Sequence, residues 1–406
     1  MLKEGENTKS SEALSDDDLI MLSIFYNAEV LKDPEDQFFL ATRYYDGDGV
    51  KQNLKEAVRW FRKAAKQDHT FSQFYLALCY LHGYGVKQNK KKAVEWMHKA
   101  AENGDDDAQY ELAKCYDEGK GVSEDKKEAV KWYRKAAEKK HVNAQYCLGV
   151  CYYYGDGVEK NLEKAVEWWQ KAAEQGLSQA QYVLAISYYH GDGVKMNKKT
   201  AAKWYQKAAE QGDVDAQFKL ALCYDEGDGV RVNKKAAFEW YLKAAEQGLA
   251  EAQFNLGVCY KDGSGVKKDI KKAVEWWQKA AAQGLCEAQF NLGVCYKFGR
   301  GVEKNYEQAV KWYRLAAEQG DSLAQFNLGN CYYNGEGVEK DEAEVLKWMR
   351  KAAKQGHIGA QFNLGLSYEV GYGVRKNMKT AAEWYRKAAD LGDEKALEWL
   401  KENGYL

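Results

Sequence analysis

Nine cysteines, six histidines and a Ser-x-x-Lys spacing at Ser123 are the features that could do chemistry. Ser123-Glu124-Asp125-Lys126 has the spacing in which a lysine amine can activate a serine for acyl transfer. No Ser-Asp-Asn or Lys-Thr-Gly motif accompanies it, and Asp125 falls where a helix N-cap is expected, so the spacing reads as coincidence. His69, His82, His98, His141, His190 and His357 are scattered through the chain and offer no metal-ligand spacing. Asp46-Gly47-Asp48-Gly49 lacks the downstream glutamate of a calcium loop. The Gly-x-Gly stretches follow helical rather than strand patterns, which argues against a dinucleotide site. This inventory predicts a protein that is not an enzyme and holds no cofactor or metal.

The cysteines have another logic. Cys79, Cys115, Cys151, Cys223, Cys259, Cys295 and Cys331 share one phase of a repeat, with Ser187 and Ser367 replacing them. Equivalent positions in neighbouring units lie two helix contacts apart, at about 8–10 Å each. A disulfide needs Cα atoms within about 7 Å. The in-phase thiols are therefore expected to be small core residues in a reducing compartment. Cys147 and Cys286 fall out of phase.

The phase is set by tryptophan. Trp60, Trp96, Trp132, Trp168, Trp204, Trp240, Trp276, Trp312, Trp348 and Trp384 recur every 36 residues without insertion or deletion. Such a period marks a stacked repeat protein, in which single units cannot bury their apolar face and neighbours complete a continuous core. The indoles are expected to wedge successive hairpins together, each deletion costing about 3–5 kcal/mol.

Residues 249–284 typify the unit. Ala252, Leu256, Cys259 and Tyr260 share a face at helical spacing and define a first helix, A. A small residue, Gly or Ala, always follows the leucine and allows close helix approach. Gly263-Ser264-Gly265-Val266 supplies the turn, and Gly-x-Gly-Val is present in all ten copies. Asn or Asp, here Asp269, then caps a second helix, B. Its stripe is Ala273, Trp276, Trp277, Ala280 and Ala281, and Gly284 stops it. The expected organisation is a disordered tail over 1–14, a capping helix over 15–32 and a closing helix over 393–406. Between them lie units 33–68, 69–104, 105–140, 141–176, 177–212, 213–248, 249–284, 285–320, 321–356 and 357–392. The fold class is all-α, an α-solenoid of ten helix-turn-helix repeats with capping half-repeats.

Sixty basic residues against 61 acidic ones leave a net charge of −1. That balance argues against bulk nucleic-acid or anionic-membrane binding. No stretch approaches the length and apolarity of a membrane span, and residues 1–7 lack the apolar core of a secretory signal, so a monomeric cytoplasmic protein without membrane insertion is expected.

The unit Ala-Gln-Phe-Asn-Leu-Gly-x-Cys-Tyr-x-x-Gly-x-Gly-Val…Ala-Val-x-Trp-(Trp/Tyr)-x-Lys-Ala-Ala-Glu-Gln-Gly resembles the Sel-one-like repeat, a relative of the tetratricopeptide repeat. The resemblance covers about nine-tenths of the chain. It implies a right-handed superhelix of antiparallel helix pairs with helix A towards the concave side. It also implies an adaptor or scaffold that binds a partner protein or peptide there.

Three rows on helix A bear on that site. Gln37, Gln73, Gln109, Gln145, Gln181, Gln217, Gln253, Gln289, Gln325 and Gln361 read as structural amides bonding backbone between repeats. An aromatic follows each, among them Tyr182, Phe218, Phe254 and Phe290, as core packing or as an exposed floor for a peptide. Asn255 and Asn291 head an asparagine row continued at Asn327 and Asn363. Variable residues close the helix: Tyr153-Tyr154, Tyr189-His190, Asp225-Glu226, Lys261-Asp262, Lys297-Phe298 and Tyr333-Asn334. The candidate partner-binding residues are Tyr153, Tyr154, Tyr182, Tyr189, His190, Phe218, Phe254, Asn255, Lys261, Phe290, Asn291, Lys297 and Phe298. Self-assembly through ends or convex faces is the alternative function. A β-lactam-binding or hydrolysing enzyme, as in the cysteine-rich branch of the family, comes last.

Overall fold

The computed structural model describes residues 22–406. The expected tail over 1–14 and the Ser15 cap lie outside the described residues. All regular structure among the described residues is helical, in 22 elements. The first is a π-helical turn, Asn27–Leu31, that ends the N-terminal helix at left-handed Lys32. The remainder are α-helices, and within each of two compact units successive helices pack against one another in chain order, consistent with an α-solenoid.

The chain divides into two compact units, one ending at Asn197 and the other comprising Lys198–Leu406. The first holds four A–B pairs, from Pro34–Asp46 with Leu54–Ala65 to Val142–Tyr154 with Leu162–Glu174, and then the A helix Ser178–His190. The second opens on the B helix Lys198–Glu210, continues through five pairs, and closes with Glu394–Glu402.

Local chemistry explains the regularity. The Asn or Asp before a B helix accepts a backbone N–H of its first turn, as Asn161 does from Lys164. A helices end on a glycine in the left-handed region, such as Gly263 at φ 78°. The second glycine of each turn answers a different need. A methyl group on Gly157 would lie 2.1 Å from the carbonyl oxygen of Lys126, at the start of the preceding B helix. No side chain fits there, so the turn can nest on the previous pair. Helix B ends in a glycine except at Asp68 and Lys140, which adopt φ of 62° and 71° instead.

The tryptophan expectation needs correcting. Trp60, Trp132, Trp204 and Trp348 are buried, but the other six ladder indoles are only half-buried. The wedge is the next residue: Phe61, Met97, Tyr133, Trp169, Tyr205, Tyr241, Trp277, Tyr313, Met349 and Tyr385 are all buried. These side chains press on the small residue of helix A. A methyl group added at Gly257 would sit 2.4 Å from Trp277 Nε1, and the same holds for Gly149 and Trp169. Each of those indoles donates to a helix-A carbonyl, Trp277 to Phe254 at 3.1 Å and Trp169 to Tyr146 at 3.2 Å. Six ladder indoles keep a partly exposed face, and a lysine lies over the ring in nearly every repeat. Its ammonium, three residues on, stands 3.7–4.5 Å from the ring centroid in nine repeats. Leu315 takes the lysine's place beside Trp312.

Gly257→Ala is therefore expected to act against helix propensity. In an open helix it would stabilise by about 1 kcal/mol, whereas here overpacking should destabilise by about 1–3 kcal/mol in chemical denaturation. Adding Trp277→Tyr should recover most of the loss, because Ala221 with Tyr241 is the same pair one repeat earlier. Equal stability of Gly257→Ala and the parent would contradict this account of the gap.

Candidate protein-binding surface

The two variable residues closing each A helix have separate fates. The first is half-buried in nine of the ten repeats, with Tyr333 as the exposed exception. Tyr153 lies 5.5 Å from the Trp169 ring. Acids at this position meet a phenol: Tyr385 donates to Glu369 at 2.7 Å, and Tyr133 to Asp117 at 3.5 Å. Burial and the adjacent acid push both phenols well above their ordinary pKa, so they remain donors. The second residue of the pair is exposed throughout; Tyr154 and Phe298 keep 66% and 56% of their surface. Tyr154 meets Tyr153 edge-on at 4.9 Å, and Arg300 stands 5.1 Å from the Phe298 ring. Tyr189 contacts exposed His190 at 5.0 Å.

The aromatic row is half-buried in every repeat, so both expectations for it hold in part. Phe218, Phe254 and Phe290 pack on Tyr241, Trp277 and Tyr313 at 5.9, 6.4 and 6.0 Å. Tyr182 is likewise half-buried. Asn255 and Asn291 are both half-buried. Lys261 reaches only its neighbour Asp262, at 3.4 Å. Lys297 is engaged elsewhere: its ammonium lies 3.0 Å from Glu336 of the next repeat with 14% of its side chain exposed.

Three clefts open between successive A helices at equivalent repeat positions. One, of about 380 Å³ in the first unit, is lined by Tyr146, Tyr153, Tyr154, Trp169, Val183 and Ile186. A second, of about 780 Å³ in the other unit, brings together Lys261, Trp277, Phe290 and Asn291 with Lys268 and Arg300. The third, of about 330 Å³, is lined by Asn330, Tyr333, Asn334, Asn363, Leu366 and Tyr372. The structure thus gathers Tyr153 with Tyr154, and Lys261 with Phe290 and Asn291. Tyr182, Tyr189, His190, Phe218, Phe254, Asn255, Lys297 and Phe298 do not line these clefts. Lys268, Arg300, Leu366 and Tyr372 were missed. They sit in turns or at half-repeating positions, where the only signal is a residue whose character departs from its counterparts.

The glutamine row is structural. All ten are buried, and Gln253 shows the pattern: its Nε2 donates to Ala245 at 3.1 Å, and its Oε1 accepts from Gln283 at 2.9 Å. One side chain therefore joins two B helices across an A helix. The acceptor is orphaned at Gln109 and Gln361, where the donor's place is taken by Lys139 and Leu391.

The histidines are less scattered than the sequence reading held. His69, His141 and His357 share one phase and cap A helices, each Nδ1 accepting a backbone N–H at 3.1 Å. Each also stacks or tilts on an aromatic of the preceding A helix, as His357 does on Phe326 at 4.3 Å. A histidine can cap this way only when Nδ1 is unprotonated, a role that its residue type hides from a cap search.

The acyl-transfer candidate is disarmed. Lys126 donates to the Asp117 carbonyl and carboxylate at 2.6 and 2.9 Å, which raises its pKa and keeps it a cation, unable to deprotonate Ser123. The seven in-phase thiols are buried and unpaired, and burial pushes them up to about 11 or 12. Among the described residues no three His, Cys, Asp or Glu side chains group to hold a metal. No helix there is long and apolar enough to cross a membrane.

The Sel1 repeat model matches ten consecutive segments, from residues 34–69 to 358–393. The chain belongs to the Sel1-repeat family. Proteins with these repeats are generally non-enzymatic scaffolds for protein interaction. Among solved structures the chain is similar to a protective antigen of uropathogenic Escherichia coli with this repeat fold. The two are 41% identical over 94% of this chain and 82% of the antigen, with a TM-score of 0.88. It is also similar to a Sel1-repeat protein of Oxalobacter formigenes, at 31% identity over 81% of this chain and 98% of that one, with a TM-score of 0.60. No curated protein matches it.

Leu391→Gln should supply the donor that Gln361 lacks and raise stability by about 1 kcal/mol, read as a higher denaturation midpoint; no change would break the amide account. His357 makes a pH-dependent contribution. Burial lowers its folded pKa below the ordinary 6.5, so its cap is fully present above that value and is lost as pH falls through the folded pKa. The stability of the parent relative to His357→Asp should drop between pH 7 and 5, and a pH-independent difference would refute the neutral cap.

Proposed function

We propose that this Sel1-repeat chain is a monomeric, non-enzymatic adaptor that holds an extended segment or helix of a partner protein against its A helices. The observation that carries the reading is the recurring cleft. The same scaffold positions open it in three places, and its lining changes from Tyr153 and Val183, to Lys261 and Asn291, to Tyr333 and Asn363. Stacking needs no such change, whereas recognition of an irregular polypeptide does. Exposed Tyr154 and Phe298 add apolar surface on the same ends of the A helices. A net charge of −1 fits a protein partner better than nucleic acid, and unpaired thiols suit a reducing cytoplasm.

Photo-crosslinking in cells tests this directly. A photoreactive residue at position 154 or 298 should give an adduct with one defined protein, and the same residue at exposed Glu239 or Glu383 on helix B should not. Tyr154→Ala or Phe298→Ala should weaken the purified complex roughly tenfold. Adducts arising only from helix B, or only with a second copy of the chain, would defeat the adaptor reading.

A further inference from the structure

The three clefts differ in charge, and the geometry points to a specific partner chemistry for the largest: a peptide segment bearing a carboxylate beside an apolar side chain. This inference rests on the adaptor reading and deepens it. The cleft's floor is Trp277 and Phe290, both packed from behind, and Asn291 lies beside them with an amide that can serve a peptide backbone. Its rim holds three cations, Lys261, Lys268 and Arg300, against a single acid, Asp262. Asp262 stands 3.4 Å from Lys261. Lys268 and Arg300 are exposed, and among the described residues neither has a carboxylate within ion-pair distance.

The scaffold gives no reason for this excess. Lys297 is satisfied across the repeat boundary by Glu336, and Lys126 and Lys234 are satisfied by Asp117 and Asp225 within their own repeats. At the position of Arg300 the other two clefts carry Asp192 and Tyr372. The cleft lined by Asn330, Asn334 and Asn363 has no charged residue in its lining at all. An uncompensated guanidinium and ammonium at the mouth of an aromatic-floored cleft select an anion, and the floor selects an apolar group next to it. The aromatic floor and the Asn291 amide beside these cations suit an acidic peptide carrying an apolar side chain better than an isolated small anion.

A synthetic peptide array probed with the intact purified protein tests the assignment. The array carries random short peptides in matched sets, with Asp or Glu beside Leu, Phe or Trp, and with Asn or Gln in place of each acid. The acidic–apolar set should be bound and its amide counterparts should not. The double variant Lys268→Gln, Arg300→Gln should lose that binding by at least roughly tenfold and show a flatter salt dependence. Both side chains are exposed, so an unchanged circular dichroism spectrum is expected, and Asn363→Ala in the neutral cleft should leave the binding intact. Equal capture of acidic and amide peptides, full binding by the double variant, or an array that stays empty would each overturn the inference. Free acetate competing as well as the peptides would also overturn it, by removing the polypeptide from the recognition. An empty array beside a successful crosslink would sink this assignment alone and leave the adaptor reading standing.

Discussion

A bulky side chain of helix B, pressed into a gap one methyl group wide on helix A, fixes how each hairpin closes. Glycine at 149 and 257 faces the two wedge tryptophans, whereas tyrosine wedges face either alanine, at 113 and 221, or glycine, as Gly293 with Tyr313 and Gly365 with Tyr385. Close packing makes the exchange steep opposite an indole, since an extra methyl has nowhere to go in an interior of crystalline density. Once the hairpin is closed, the Gly-x-Gly turn can reach the previous B helix. The buried glutamine can then bridge between neighbouring B helices, and a lysine lies over the ladder tryptophan in nearly every repeat.

This order explains which parts were legible in the sequence. Period, helix pairs, asparagine caps and glycine turns are local signals, each written within a few residues, and they suffice to give the solenoid. The wedge was not legible, because its residue type varies among Phe, Met, Tyr and Trp and its partner Gly257 lies on the other helix, whereas the neighbouring Trp276 is invariant. The histidine caps escaped for a related reason. His69, His141 and His357 alternate with Asp and Leu at one phase, so their shared role appears only when the hydrogen bonds are seen.

The same distinction governs the candidate site. A variable residue in a repeat array is not free merely because it varies. Asp117 and Glu369 accept from the phenol of the wedge beside them, and Tyr153 packs on the wedge indole. Such positions are settled inside the repeat, which is why Tyr153 and Lys261 serve as cleft walls rather than as free contacts. The second member of each pair, Tyr154 or Phe298, stays exposed even where it meets a neighbour such as Tyr153 or Arg300.

Charge sharpens the argument further. Exposed ion pairs contribute at most about 1 kcal/mol, so the array gains little stability by pairing Lys126 with Asp117 or Lys234 with Asp225. The pairing instead sets what each stretch of surface presents. Where Asp117 or Asp225 sits on the half-buried position, the lysine at the head of helix B, Lys126 or Lys234, is paired with it. Where lysine replaces that acid at Lys261, the following turn keeps its cations outward. The repeat holding Lys261 also has Ile270 in place of Lys234 and Lys268 in place of Val232, so the local field changes at several positions while the wedge beneath stays a buried aromatic. Ten copies of one hairpin can therefore carry clefts of different chemistry on a common frame.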